Sequence, residues 1–312
     1  MENEIEELQA ILREDPYNFQ ARRTLSLALL DNGFNKEAKK NLLYLVRTFP
    51  ENAELHYNLG IACEKLFEYE NAERAYLKAI EISPETDFYY NLGLTYIEMK
   101  EYGKAIVPLK HVIDVEPEDA NTNFNIGLCF YNTEEYEVAI DYFKKAIELN
   151  NEDVFAHFYL ANIFKQFGQY DLAIQEYQTV ISIIPDYSWA YFNLGQIAYE
   201  VGETESALQY LQQTLKYNPH DIEAIKIMVQ IYTKQQRYTE ALDILQNGLE
   251  TNINNGDLFY LSSRVFKLMG DDENSFLALQ QAVLSKDSLT FDFEKINNAF
   301  ERLKPLYITD EQ

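Results

Sequence analysis

The chain is short of almost everything that marks redox chemistry, metal binding or membrane insertion. It has 312 residues, of which two are cysteine, one is tryptophan and four are histidine. Cys63 and Cys129 are far apart in sequence and supply neither a disulfide framework nor clustered metal-ligand spacing. Each sits in an apolar pattern, where a thiol behaves as a small hydrophobe. No Gly-rich phosphate loop follows a strand pattern. No run reaches the roughly 18 apolar residues that a membrane-spanning helix needs. The opening MENEIEELQAILREDP is acidic and lacks a basic segment leading into an apolar run, so no secretory signal is expected and the cytoplasm is the expected compartment. Cations are scarce as well: 26 Lys and Arg stand against 51 Asp and Glu, a formal net charge of −25. The imbalance runs along the whole chain, and because nucleic-acid affinity rests on Lys and Arg displacing counterions, nucleic acid and anionic membrane are poor partners.

What the chain does have is a period. Small residues recur at Ser26, Gly60, Gly93, Gly127, Ala161, Gly195, Val229 and Ser263, in steps of 34 with a single step of 33. A second small position follows twelve residues later, at Ala38, Ala72, Ala105, Ala139, Ala173, Ala207, Ala241 and Ser275. Six of the eight prolines, Pro16, Pro50, Pro84, Pro117, Pro185 and Pro219, share one phase. A unit of this size cannot bury an apolar face alone, so the period implies stacked helical hairpins. Each hairpin is expected to hold a helix A, with the Gly at its centre, and a helix B, with the Ala. Gly inside a helix costs about 1 kcal/mol against Ala, and close approach of helix B to the helix A backbone is the expected compensation. Gly33, Gly168, Gly202 and Gly270 fall where a helix end needs a left-handed residue.

With His56, Leu59, Gly60, Ala72, Tyr76, Ala79 and Pro84 in these places, the chain resembles the tetratricopeptide repeat family. The resemblance implies an all-α, right-handed superhelical solenoid of about eight helix-turn-helix repeats over 19–286. Residues 1–18 are expected to form an N-terminal capping helix, with Ile5, Leu8, Ile11 and Leu12 on one face. Residues 287–312 are expected to hold a C-terminal capping helix ended by Pro305, then a tail. Two irregularities stand out. Pro108 falls inside a helix B, where a kink is expected. Unit seven has Val229 for Gly, Gly248 for Ala and a loop at 252–256, which predicts wider packing and a loose linker.

In the family, partners lie along the concave surface formed by the A helices. Six positions of each A helix share that face. One carries Asn58, Asn91, Asn125 and Asn193, and in related repeats such an asparagine ladder holds a peptide backbone, an amide being both donor and acceptor. The adjoining position carries Tyr57, Tyr90, Phe124, Phe158, Phe192 and Tyr260. These rings either anchor partner side chains, with Trp189 beside them, or are partly buried between neighbouring A helices. Lys226, Lys234, Arg264 and Lys267 make the C-terminal end of the face basic, opposite an acidic N-terminal end.

No catalytic residue, metal or cofactor is expected. His56 and His157 occupy a large-residue packing position, and no histidine has a placed carboxylate, Cys or Ser partner. The leading expectation is therefore a non-catalytic scaffold that binds a peptide or protein segment in the groove. The two alternatives are a regulatory or substrate-presenting subunit of a separately encoded enzyme, and a self-associating structural homo-oligomer.

Overall fold

The computed structural model describes residues 2–307, with side chains from Glu4 onward. All regular structure among them is helical, and the chain divides into two compact units, 1–163 and 164–312. The first unit runs α1 (Glu2–Glu14), α2 (Phe19–Asp31), α3 (Asn35–Thr48), α4 (Ala53–Glu64), α5 (Tyr69–Ile82), α6 (Thr86–Glu98), α7 (Tyr102–Val115), α8 (Ala120–Asn132) and α9 (Tyr136–Leu149), and ends within α10 (Val154–Gln166). The second continues with α11 (Tyr170–Ile183), α12 (Ser188–Glu200), α13 (Thr204–Tyr217), α14 (Ile222–Lys234), α15 (Tyr238–Thr251), α16 (Gly256–Met269) and α17 (Asp272–Leu284), a single 3-10 turn at Lys286–Ser288, and α18 (Phe293–Tyr307). Even-numbered helices from α2 to α16 are the A helices, and a B helix follows each in sequence.

The start of most A helices is set by a side-chain cap. Asn18, Asn52, Asp119, Asp153, Asp221 and Asn255 each accept a hydrogen bond from a backbone N–H three residues on, which satisfies a donor the helix leaves unpaired. Between A and B every hairpin turns through one left-handed residue. Gly33, Gly168, Gly202 and Gly270 take it as expected, but Phe67, Lys100, Glu134 and Gln236 hold the same place with φ of 59–64°. A side chain there costs about 1–2 kcal/mol. Glu134 is exposed, so Glu134→Gly should raise stability by about 1 kcal/mol, part of the strain relief being offset by the freer unfolded chain. A thermal midpoint equal to or below wild type would contradict this.

At the mid-helix glycines helix B comes close to the helix A backbone, as expected, and it does so through a side chain. The space a Cβ would fill is occupied by one large side chain of helix B, sixteen residues on. Such a Cβ would lie 2.4 Å from Tyr76 at Gly60, 2.6 Å from Leu109 at Gly93, 2.9 Å from Phe143 at Gly127 and 2.9 Å from Leu211 at Gly195. Tyr76, Leu109, Phe143 and Leu211 are wholly buried, as are Ala38, Ala72, Ala105, Ala139, Ala173, Ala207 and Ala241. In the last hairpin two serines take the small positions, and Ser275 Oγ donates to the Ser263 carbonyl at 2.9 Å.

In unit seven α14 and α15 approach less closely than the Gly-centred pairs, as expected with Val229 at the crossing, while the space a Cβ would fill at Gly248 is taken by Ile225 at 2.7 Å and Leu258 at 3.2 Å. Two further expectations need correction. The 252–256 linker is not loose, since Ser288 Oγ donates to the Asn254 carbonyl and accepts from the Gly256 N–H, both at 2.8 Å. Finally, Pro305 does not end α18, which runs on to Tyr307. Helix α7 also continues through Pro108. At the ends, Ile5, Leu8 and Leu12 pack against Leu25, Leu29 and Ala38, while Ile11 stays 42% exposed. Ile296, Phe300 and Leu303 pack on Phe276 and Leu279. The tail expected after residue 307 lies outside the described residues.

Candidate functional site

In the first unit the aromatic and asparagine rows meet. Asn91 Nδ2 donates to the Tyr57 hydroxyl at 2.7 Å and Asn125 Nδ2 to the Tyr90 hydroxyl at 3.4 Å, so each bond ties one A helix to the next. Tyr57, Tyr90, Phe124 and Phe158 are all half-buried. Tyr57 also packs 4.7 Å from Phe88, and Phe124 lies 6.0 Å from Tyr159, the residue that breaks the asparagine row. Burial pushes the Tyr57 and Tyr90 phenols above their ordinary range, so both stay protonated at physiological pH while their oxygens accept from the asparagines. Asn91 and Asn125 spend an amide donor on these bonds, while Asn58 is buried.

In the second unit the predicted residues separate into two groups. Asn193 is buried: its Nδ2 donates to the Trp189 carbonyl at 2.8 Å, and its oxygen accepts from Lys165. Lys165 Nζ also donates to Gln196 at 2.7 Å, and burial holds its pKa below the usual lysine value. Phe192 packs against the hydrophobic core beneath α14, whereas Trp189 is 57% exposed. The second group frames a cleft of about 440 Å³ between α14 and α16, lined by Lys226, Val229, Gln230, Lys234, Leu261, Arg264, Val265, Leu268 and Phe291 among others. On α14 the lining falls at i, i+3, i+4 and i+8, one helical face.

The three cations of this cleft are held in different ways. Lys226 is a structural partner: its Nζ lies 2.7 Å from Asp257 and 2.9 Å from Glu223. Burial works against its charge, but those hydrogen bonds raise its pKa above the ordinary value. Lys234 donates to the Tyr199 hydroxyl at 2.6 Å and lies over that ring. Arg264 stands 5.9 Å from the Tyr260 ring centre, and Tyr260 packs 5.0 Å from Phe291. Lys267, also expected here, lies outside the cleft lining and pairs with Asp272.

Cys63 and Cys129 are buried and unpaired by disulfides, and burial pushes the Cys129 thiol up to about 12. His56 and His157 use a ring nitrogen to reach the carbonyl six residues back, Pro50 at 2.8 Å and Asn151 at 3.2 Å. Arg22, Asn123 and Tyr191 do the same to Pro16, Pro117 and Pro185. That recurring bond, which anchors the inter-repeat loop, is invisible as a residue type and legible only as a shared donor. Among the described residues no group of His, Cys, Asp and Glu could hold a metal ion, and no helix is long and apolar enough to cross a membrane.

The paired helices, the small-over-large crossings and the recurring turn define an all-α helical-repeat protein whose A helices present a lined face. Family models for the tetratricopeptide repeat match residues 23–87, 86–119, 120–153, 142–175, 161–202 and 198–263, leaving no gap between 23 and 263. The chain belongs to the tetratricopeptide repeat family. Among solved structures it is similar to MamA, at 25% identity and a TM-score of 0.52, over 56% of this chain and 96% of that one. It is also similar to YrrB, described as a TPR protein with an unusual peptide-binding site, at 22% identity and a TM-score of 0.52, over 60% and 96%. A third similar structure is PilF of Pseudomonas aeruginosa, at 18% identity and a TM-score of 0.54, over 69% and 97%. No curated protein matches. Stacked repeats of this kind present extended surfaces to protein partners.

Proposed function

We infer that this chain is a non-catalytic interaction scaffold and that the cleft between α14 and α16 receives a segment of its protein partner. The observation that carries this reading is the cleft's composition. Val229, Leu261, Val265, Leu268 and Phe291 give it an apolar lining, and Lys234 and Arg264 stand on it with no carboxylate among the lining residues. Apolar contact with a few placed polar groups is what a peptide site needs, the former for affinity and the latter for orientation. The Tyr57–Asn91 and Tyr90–Asn125 pairs of the first unit are a further place where a peptide backbone could exchange hydrogen bonds, and they support the reading more weakly because each asparagine already spends an amide donor within its pair.

The test is a pull-down from native lysate with the full chain and with Lys234→Glu/Arg264→Glu, read by quantitative mass spectrometry. The expected result is a protein retained by wild type and depleted at least tenfold by the variant. An enzyme in that position favours the regulatory-subunit reading, and recovery of this chain alone favours self-association. Equal recovery by both would remove the cleft from the function.

A further inference from the structure

Helix α3 carries a second surface, on a B helix and independent of the A-helix cleft. In a chain with 51 acidic and 26 basic residues, Lys36, Lys39, Lys40 and Arg47 all stand on this one helix of 14 residues. With Leu43 and Tyr44 they occupy positions i, i+3, i+4, i+7, i+8 and i+11, a single stripe. The stripe forms one wall of a groove of about 580 Å³ closed on its other side by Leu66 and Glu68. Lys39 is committed to Glu68. No ion pair engages Lys36, Lys40 or Arg47 among the described residues, and all three are exposed. The aromatic centre is preset: the Arg22 guanidinium lies 4.4 Å from the Tyr44 ring centre, and Phe19 stacks on its neighbourhood at 6.3 Å. Leu43 and Tyr44 are each 37% exposed, and Phe67, next in sequence to Leu66, is 78% exposed.

We propose that the α3 stripe docks an acidic segment of another protein, with a bulky apolar residue seated on Leu43 and Tyr44 and carboxylates on either side of it, toward Lys36 and Lys40 and toward Arg47. The arrangement is that of an interface, an apolar centre inside a charged rim. Charge decides the occupant. Cations needed only to neutralise this chain's own surface would be dispersed among its many carboxylates, whereas these are concentrated and three of them stay unpaired. From Lys36 to Arg47 the stripe runs about 16 Å at 1.5 Å per residue, the reach of about five residues of extended chain. A segment of that length stays within about a Debye length, ~8 Å, of the cations. A polynucleotide or a bilayer is far larger than the stripe and would face the surrounding negative charge.

The proposal is tested with the full chain and a fluorescein-labelled synthetic peptide, Glu-Glu-Gly-Leu-Phe-Gly-Glu, by fluorescence anisotropy at low salt. Saturable binding is expected. It should weaken at least tenfold in Lys36→Glu/Lys40→Glu, on raising the salt, and when the three glutamates become glutamines. Lys234→Glu/Arg264→Glu should leave it unchanged, so failure of the A-helix cleft would register separately. No saturable binding overturns the proposal, as does equal binding by the glutamine peptide. Unchanged binding by a Lys36→Glu/Lys40→Glu variant with a wild-type circular dichroism spectrum also overturns it. A wild-type dimer in sedimentation that this variant abolishes would assign the stripe to a second copy instead. Co-sedimentation with vesicles one-third phosphatidylserine, lost in the same variant, would assign it to a membrane, and either outcome overturns the proposal.

Discussion

Phe143→Ala is expected to lower the stability of the chain by about 3–5 kcal/mol, the usual cost of emptying a buried aromatic site. The ring is wholly buried and fills the space directly over Gly127. The informative experiment adds the glycine. Gly127→Ala alone places a Cβ 2.9 Å from Cδ1 and Cε1 of that ring, so the hairpin must shift. Overpacking of this kind costs about 1–3 kcal/mol, set against about 1 kcal/mol gained in helix propensity. In the double variant the methyl enters vacated space and the propensity gain remains. The double variant should therefore be more stable than Phe143→Ala, with a coupling of about 1–2 kcal/mol. Urea titrations of the four proteins followed by circular dichroism measure it. Because stacked repeats can unfold in parts, hydrogen exchange in 120–149 should be read alongside. Simple additivity would mean that Gly127 and Phe143 do not share one packing site.

That pair shows how far the sequence could be read. The period, the hairpins and the small residues at the crossings were legible because glycine and alanine are costly or distinctive at those places and recur without much substitution. The large partner was only partly legible: Tyr76 stands at a motif place, but the position is filled by Leu42, Leu109, Leu211, Leu245 and Leu279 elsewhere and by Phe143, and leucine is too common in any helix to mark it. The same holds at the hairpin turn. The turn geometry is imposed by the packed helices, so Phe67, Lys100, Glu134 and Gln236 are driven into a conformation that their own preferences oppose. At unit seven, Val229 does hold α14 and α15 further apart, whereas the room at Gly248 is taken up by Ile225 and Leu258, which no residue type announced. For the candidate site, the cations of α14 and α16 were foreseen from helical face alone. Their inequality was not: Lys226 is bound to acids on two helices, and the Phe291 wall comes from a segment with no place in the period.

Asp257→Ala is the second substitution expected to cost most, because it strands charge and donors together. Asp257 is 1% exposed and lies 2.7 Å from Lys226 Nζ, and it accepts from the Thr290 N–H and hydroxyl, both at 2.6 Å. It thus ties the segment carrying Phe291 to the start of α16 and holds the cleft wall in place. Removing one partner of such a buried pair costs about 3–5 kcal/mol, whereas replacing both by apolar groups is often close to neutral. Lys226→Met/Asp257→Leu should therefore recover much of what Asp257→Ala loses, while hydrogen exchange in 286–303 quickens only in the single variant. The pH dependence carries a definite sign. Burial raises the Asp257 carboxyl, but the Lys226 and Thr290 bonds outweigh it and hold the pKa below the ordinary value. A depressed folded-state pKa gives stability that is fully present above the ordinary carboxylate value of about 4 and is lost as pH falls through the lower folded value. Lys226, whose pKa is raised, contributes in the opposite sense, with stability present below the ordinary lysine value of about 10.4 and lost as pH rises above it. Wild type should show an acid limb of destabilisation below pH of about 4 that is shallower in Lys226→Met/Asp257→Leu. Equal acid limbs in the two proteins would show that this buried pair is not what fastens the C-terminal segment to the cleft.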